Sequence, residues 1–148
     1  IIDIFASQGI CPSRLTIEGA SPRNILLASY NRVDIALDPF PFPGVTTSVE
    51  SLWMGVPVLT RTGSHFLSHV GEMIANNIGL TDWIATDNYE YVEKAVAFAS
   101  DLEALAQIRL NLRSNMQKSA LCNAPNFASN FEQLMNEMWE KTNSPSFG

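Results

Sequence analysis

Residues 38–60, DPFPFPGVTTSVESLWMGVPVLT, decide the fold of this chain. An apolar, strand-like run over residues 33–37 leads into the stretch, and Asp38-Pro39 stops it. A proline- and glycine-rich loop follows. Two threonines then open a helical pattern over about 46–54, with Val49, Leu52 and Trp53 at helical spacing. Gly55 is placed to end that helix, and Pro57 begins a second apolar strand over 56–60. A strand, a flexible loop and a hydroxyl-bearing helix N-terminus form a ready anion site. The first-turn N–H groups lack helical acceptors, and they and the helix dipole point at whatever sits there. The natural occupant is a nucleotide diphosphate, over Thr46 and Thr47.

Upstream, residues 1–9 read as a short helix stopped by Gly9, and Cys11-Pro12-Ser13 as a turn. Residues 14–18 alternate Leu15 and Ile17 with polar neighbours, which predicts a short strand. Ser21-Pro22 reads as an N-cap with proline in the first helical position, opening a helix to about Tyr30. Downstream, Ser64 is expected to cap a helix over 65–77 whose inner stripe is Phe66, Val70, Met73 and Ile74. A brief strand follows at 83–85. Asp87 with Glu90 makes a capping-box pattern at the head of a helix to about Ala99, and Asp101 starts another to about Lys118. Pro125-Asn126 precede a last helix that gathers Phe127, Phe131, Leu134, Met135 and Met138 on one face. Residues 143–148 read as a frayed end.

Strands alternate with helices up to residue 99, which predicts βαβ crossovers and a parallel sheet. The expected class is therefore α/β, a Rossmann-like parallel sheet flanked by helices over about 1–99, with a helical tail over about 100–142. Ligands of such sheets sit beyond the carboxyl ends of the strands, where the 38–47 loop lies.

The 148 residues suffice for one domain with its own core, and 46% hydrophobic against 16% charged composition excludes a disordered chain. A net charge of −6 with no basic stripe argues against nucleic acid as a partner. Cys11 and Cys122 have no metal-ligand spacing and fit a reducing, cytoplasmic setting. No apolar run approaches the roughly 18 residues of a membrane span, and no signal peptide is visible. The chain opens on Ile1 rather than Met, so a fragment of a longer protein is expected. His65 and His69, at i and i+4, form a possible metal pair, but no third ligand accompanies them and surface histidines are expected instead. Trp53 and Met54 are expected in the core.

The segments DIALDPFPFPG, TT-ES-LWMGVPVLT and, upstream, FASQGICPSRLTIEG resemble the protein O-linked N-acetylglucosamine transferase family. So do GLTDWIA, NYEYVEKAVAFASD, LRSNM and NFASNFEQLMNEMWE further on. The resemblance covers nearly the whole chain and is strongest to bacterial members with tetratricopeptide repeats ahead of the transferase. It implies the two-lobed GT-B fold of glycosyltransferase family 41, with residues 1–148 forming the later part of the C-terminal, donor-binding lobe. It implies transfer of a sugar, N-acetylglucosamine above all, from a UDP-sugar to Ser or Thr of an acceptor protein, with inversion and without a metal or other cofactor.

What the resemblance implies for the site follows residue by residue. Thr46 and Thr47 would bind the diphosphate, though one of them could simply cap the helix. Glu50 would hold the ribose hydroxyls, or serve as a favourable acid near a helix N-terminus. Ser21 and Arg23 would lie at the nucleobase, with a solvated Arg23 nearly as good a reading. Gly44 would let the backbone approach the phosphate, and Asp38 would shape the loop rather than catalyse. The run from Phe40 to Pro43 would line the sugar or acceptor cleft, or pack as a loop. Val45 stands where the family has His or Gly, and Leu26 where it has a His against the base. No catalytic residue is assigned within the chain, because the family's basic residue for the diphosphate lies upstream of Ile1.

The same resemblance matches strand 14–18 to the third strand of the 3-2-1-4-5-6 order and strand 33–37 to the fourth. The two strands between them are missing. A gap in the sheet, a partner chain filling it, or a nonstandard order is expected, with self-association through unpaired edges as one consequence. The expected function is the donor-binding portion of an inverting protein O-glycosyltransferase, inactive alone. Two alternatives stand beside it. One is a non-catalytic nucleotide- or protein-binding module, favoured by Val45 and Leu26; the other is a GT-B transferase using another donor such as GDP-fucose.

Overall fold

Three short parallel strands set the frame, and their order in the sheet is their order in the chain. They are β1 (Ala36–Leu37), β2 (Val58–Arg61) and β3 (Ile84–Ala85), seen in a computed structural model that describes residues 1–143. Ala36 pairs with Val58 and Leu37 with Leu59, while Thr60 pairs with Ile84 and Arg61 with Ala85. The helices are α1 (Ile2–Ser7), α2 (Arg23–Ser29), α3 (Thr46–Trp53), α4 (Val70–Asn77), α5 (Asn88–Ser100), α6 (Leu102–Lys118) and α7 (Ala124–Asn143). Helix α3 joins β1 to β2 and α4 joins β2 to β3, the alternation expected of parallel pairing.

The central strand β2 is buried at Val58, Leu59 and Thr60. Leu52 from α3 and Ile74 and Ala75 from α4 join it in one core, which Leu105, Leu112 and Met116 of α6 extend. Trp83 completes this core, its ring stacked on Phe98 at 4.3 Å. Each such side chain contributes about 1.5–3 kcal/mol by leaving water. Gly55, just past α3, holds φ at +80°, a left-handed turn that costs glycine nothing. Asp87 accepts from the Glu90 N–H at 2.8 Å and Asp101 from the Ala104 N–H at 3.0 Å, so both expected N-caps form. Glu90 reaches back one residue further than a capping box does, to the N–H and hydroxyl of Thr86.

Several expectations are corrected. Residues 14–18 form no strand: Pro12–Arg14 is a single 3-10 turn and residues 15–22 run irregularly over the surface. Alternation makes a strand only where a neighbour supplies a ladder and a face to bury. Ile17 has neither and is 56% exposed. No pairing of 14–18 with 33–37 therefore occurs, and β1 keeps only two of the five residues expected of it. Both edge strands are this short, which limits the backbone they offer to a partner. Pro22, not Ser21, occupies the N-cap position of α2. The helix expected from Ser64 splits into a 3-10 turn, Phe66–His69, and α4. The tighter turn rotates Phe66 to the outside, at 85% exposed, and leaves Gly71, Ile74 and Ala75 as the buried face rather than Phe66 and Met73. Trp53 is not core: it is part-exposed beneath the guanidinium of Arg113, 5.2 Å from its ring centre. Residues 144–148, most of the expected frayed end, lie outside the described residues. Among the described residues no helix is long and apolar enough to cross a membrane.

Candidate functional site

Beyond the carboxyl end of β1 the chain turns at Asp38 and runs through the 38–45 loop to α3. The Asp38 side chain points inward. Its Oδ1 accepts from the Gly44 N–H at 2.7 Å and its Oδ2 from the Thr60 hydroxyl at 2.9 Å. Burial pushes this carboxyl up from its ordinary value, and these hydrogen bonds only partly oppose it. Gly44 is required by crowding: a Cβ there would lie 2.5 Å from Ser48 Oγ and 2.6 Å from Thr47 Oγ1.

The first helical bond of α3 runs from the Val49 N–H to the Val45 carbonyl at 3.1 Å. The amides before it have no helical acceptor. Thr46 and Thr47 occupy this first turn, both exposed, and neither hydroxyl has a hydrogen-bond partner among the described residues. Val45 stands at the N-cap with no capping side chain. Beside them opens a cleft of about 160 Å³, lined in part by Tyr30, Leu37, Asp38, Pro39, Thr47 and Ser48.

One turn along α3, Glu50 Oε1 meets the Arg23 guanidinium at 2.7 Å. Tyr30 completes the group, its hydroxyl donating to the Thr47 carbonyl at 3.3 Å. Partial burial and the nearby Glu50 charge raise the Tyr30 phenol above its ordinary value. Of the residues expected to touch the donor, Thr47 alone lines this cleft; Thr46 precedes it on α3, Gly44 and Val45 lead into the helix, and Glu50 is joined to Arg23 one turn on. Ser21 lies in the exposed segment ahead of α2, and Leu26 is exposed on α2 itself. Tyr30 and Thr60 escaped the sequence reading. Thr60 left a signal, a hydroxyl inside an apolar buried strand; Tyr30 left none.

The rest of the neighbourhood is structural. Phe40 packs under the Arg61 guanidinium, 3.9 Å from its ring centre, and Arg61 also donates to Asn88 Oδ1 at 2.7 Å. Phe42, on the same run, is exposed. His69 Nδ1 lies 2.8 Å from Glu72 Oε2, which also accepts from the Thr62 hydroxyl at 2.6 Å. These bonds hold the Glu72 carboxyl below its ordinary value, the Thr62 hydroxyl foremost. His65 serves through its backbone, its N–H donating to Ser68 Oγ at 3.2 Å. Among the described residues no group of three or more His, Cys, Asp or Glu is placed to hold a metal.

Comparison with known proteins adds the context. The family described as Glycosyl transferase family 41 matches residues 1–131. A protein of Solanum lycopersicum titled probable UDP-N-acetylglucosamine–peptide N-acetylglucosaminyltransferase SPINDLY is 41% identical over 115 residues, 78% of this chain and 12% of that protein. Its counterpart in Arabidopsis thaliana is 42% identical over 115 residues, 78% of this chain and 13% of that protein. A solved structure of Thermobaculum terrenum O-GlcNAc transferase, a lysine-to-methionine mutant, superposes with a TM-score of 0.87 at 32% identity, covering 95% of this chain and 27% of that one. The chain spans about an eighth of the length of the curated plant relatives it matches.

Proposed function

The chain belongs to glycosyl transferase family 41, and from that premise we propose that it forms the donor-gripping part of a protein O-glycosyltransferase. The donor is a UDP-sugar, in line with the names of the relatives. Its pyrophosphate lies over the first turn of α3, against the amides there and the hydroxyls of Thr46 and Thr47. One observation carries this reading: those two hydroxyls stand unpartnered among the described residues, and Thr47 lines a cleft at the carboxyl end of β1.

The chemistry follows from charge. As the glycosidic bond breaks, the leaving diphosphate gains negative charge, and pre-aimed donors and a helix N-terminus stabilise it most at that moment. Gly44, which puts no side chain in the way, and Val45 let the loop pass close to the phosphate. Glu50 takes the ribose hydroxyls, and Arg23, with the backbone near Ser21, borders the base. Among the described residues none neutralises the diphosphate with a full positive charge in this arrangement, and none positions an acceptor serine or threonine. The chain alone is therefore expected to bind donor and not to transfer sugar; the acceptor protein is held by other parts of the enzyme.

Calorimetry with UDP tests the reading. Thr46→Ala with Thr47→Ala removes two hydroxyl donors to a charged ligand and should weaken binding at least about tenfold, since such bonds contribute about 1.5–3 kcal/mol each. Unchanged binding would remove the basis for a donor site. Val45 brings no capping side chain to the head of α3, and Leu26 is exposed on α2. If UDP and GDP both fail to bind, the chain is a protein-binding module instead. Tighter binding of GDP than UDP would assign a guanosine-linked donor.

A further inference from the structure

Asp38 ends β1 with a side chain only 6% exposed, at a point where β2, α3, α4 and α5 all converge. An ionised carboxylate accepts hydrogen bonds and cannot donate them, so each polar neighbour must turn a proton inward. The Gly44 N–H and the Thr60 hydroxyl do so. The Gly44 N–H is thereby withdrawn from any ligand, and Ser48, on the first turn of α3, is buried. The groups left facing outward are those of Thr46 and Thr47. Behind the carboxylate, the Asp38 carbonyl accepts from the Tyr91 hydroxyl of α5 at 2.9 Å. From α4, Gly71 closes in so tightly that a Cβ would lie 2.8 Å from Asp38 Oδ2 and overlap Thr60 Oγ1.

From this geometry we infer that Asp38 is a positioning residue of the donor site. Through Gly44 it fixes the 38–45 loop and with it the entry to α3, so that Thr46 and Thr47 present their donors to the pyrophosphate, while Tyr91 anchors it from α5. The inference rests on the donor reading given above. It goes further by tying the grip on the ligand to a side chain that does not touch it, and to a helix on the far side of the loop. Hydrogen-bond donors lose effect when displaced by even about 1 Å, so a loosened loop weakens binding while the fold survives.

The test is UDP calorimetry with a thermal melt on the whole chain and on Asp38→Ala, Asp38→Asn, Tyr91→Phe and Ile78→Val. Asparagine keeps an oxygen for the Gly44 N–H and can offer its amide to Thr60 Oγ1. Ile78 lies in the core and its shortening lowers stability without entering the loop. Asp38→Ala should lose about tenfold in affinity, the worth of a charged hydrogen bond. Asp38→Asn should recover to within about threefold of the parent, and Tyr91→Phe should lose about threefold. Ile78→Val should bind as the parent does. The inference is overturned if Asp38→Ala binds like the parent, if Asp38→Asn is no better than Asp38→Ala, or if Ile78→Val loses as much. Should Asp38→Ala fail to fold, Tyr91→Phe against Ile78→Val decides, and equal affinities sink the inference. A parent chain that does not bind UDP takes both readings down. A parent whose binding needs Thr46 and Thr47 but not Asp38 refutes this one alone.

Discussion

Arg23 and Glu50, two residues expected to meet a nucleoside, meet each other at 2.7 Å. The Glu50 side chain is only 12% exposed and that of Arg23 73%, so the pair is anchored on α3 and closed by a long solvated arm from α2. An ion pair with one partner this exposed is worth about 0–1 kcal/mol. It can therefore open to admit a ribose at small cost. Glu50→Gln should shift the urea midpoint by no more than about 0.5 kcal/mol equivalent. Its UDP affinity should fall about three- to tenfold, because a neutral amide accepts the ribose hydroxyls more weakly. A large loss of stability with unchanged UDP binding would make the pair a structural clasp.

Gly71 supplies a prediction of opposite sign to helix propensity. Alanine is normally the better helix former by about 1 kcal/mol. Here a Cβ would overlap Thr60 Oγ1 and crowd Asp38 Oδ2. Neither atom can retreat, since each is hydrogen-bonded to the other. Gly71→Ala should therefore destabilise by about 1–3 kcal/mol, the usual cost of overpacking a full site, read as a lower urea midpoint at unchanged slope.

The stretch from Asp38 to Thr60 was legible because its punctuation is local. Proline and glycine bound the loop, helical spacing marks α3, and β2 is a continuous apolar run. The caps at Asp87 and Asp101 were legible for the same reason. What sequence could not convey was partnership. Residues 14–18 have the alternation of a strand but find no edge to join. The helix expected from Ser64 begins as a tighter turn, which rotates Phe66 out of the core. Near the site, the start of α3 at Thr46, just after Gly44 and Val45, could be read from local spacing. Asp38 meets Thr60 across 22 residues and Tyr91 across 53, separations that no local pattern encodes.

The acid limb of stability should carry two opposed contributions. Glu90 accepts from Thr86 and pairs with Lys94 at 2.8 Å, which lowers its carboxyl to about 2, the Lys94 bond foremost. A folded value below the unfolded one means stability present above the ordinary glutamate value and lost as pH falls from 4.5 toward about 2. Burial moves Asp38 the other way, so its folded form takes up a proton at higher pH than the unfolded chain does. Charging Asp38 as pH rises through that value lowers stability, and acidification relieves the cost. Glu90→Gln should flatten the loss between pH 4.5 and about 2. Thermal melts across this range at fixed ionic strength check it, and added salt should shrink the Glu90 effect because the group is exposed.

Helices α6 and α7 should answer mutation very differently, although both carry apolar stripes. Leu112 of α6 is fully buried against the sheet-side core. Leu112→Ala should cost about 2–5 kcal/mol, the transfer loss plus the cavity left behind. On α7, Phe127 and Phe131 stack only on each other, with ring centres 6.0 Å apart, and both are more than half exposed. An exposed i,i+4 pair on a helix is worth about 0.2–0.5 kcal/mol, so Phe131→Ser should cost no more than about that. Urea midpoints of the two variants give the comparison, and running them over a hundredfold range of protein concentration sharpens it. A bare α7 face predicts midpoints independent of concentration. A Phe131→Ser cost as large as that of Leu112→Ala, with midpoints rising with concentration, would instead mean that a second copy of the chain covers the face in solution.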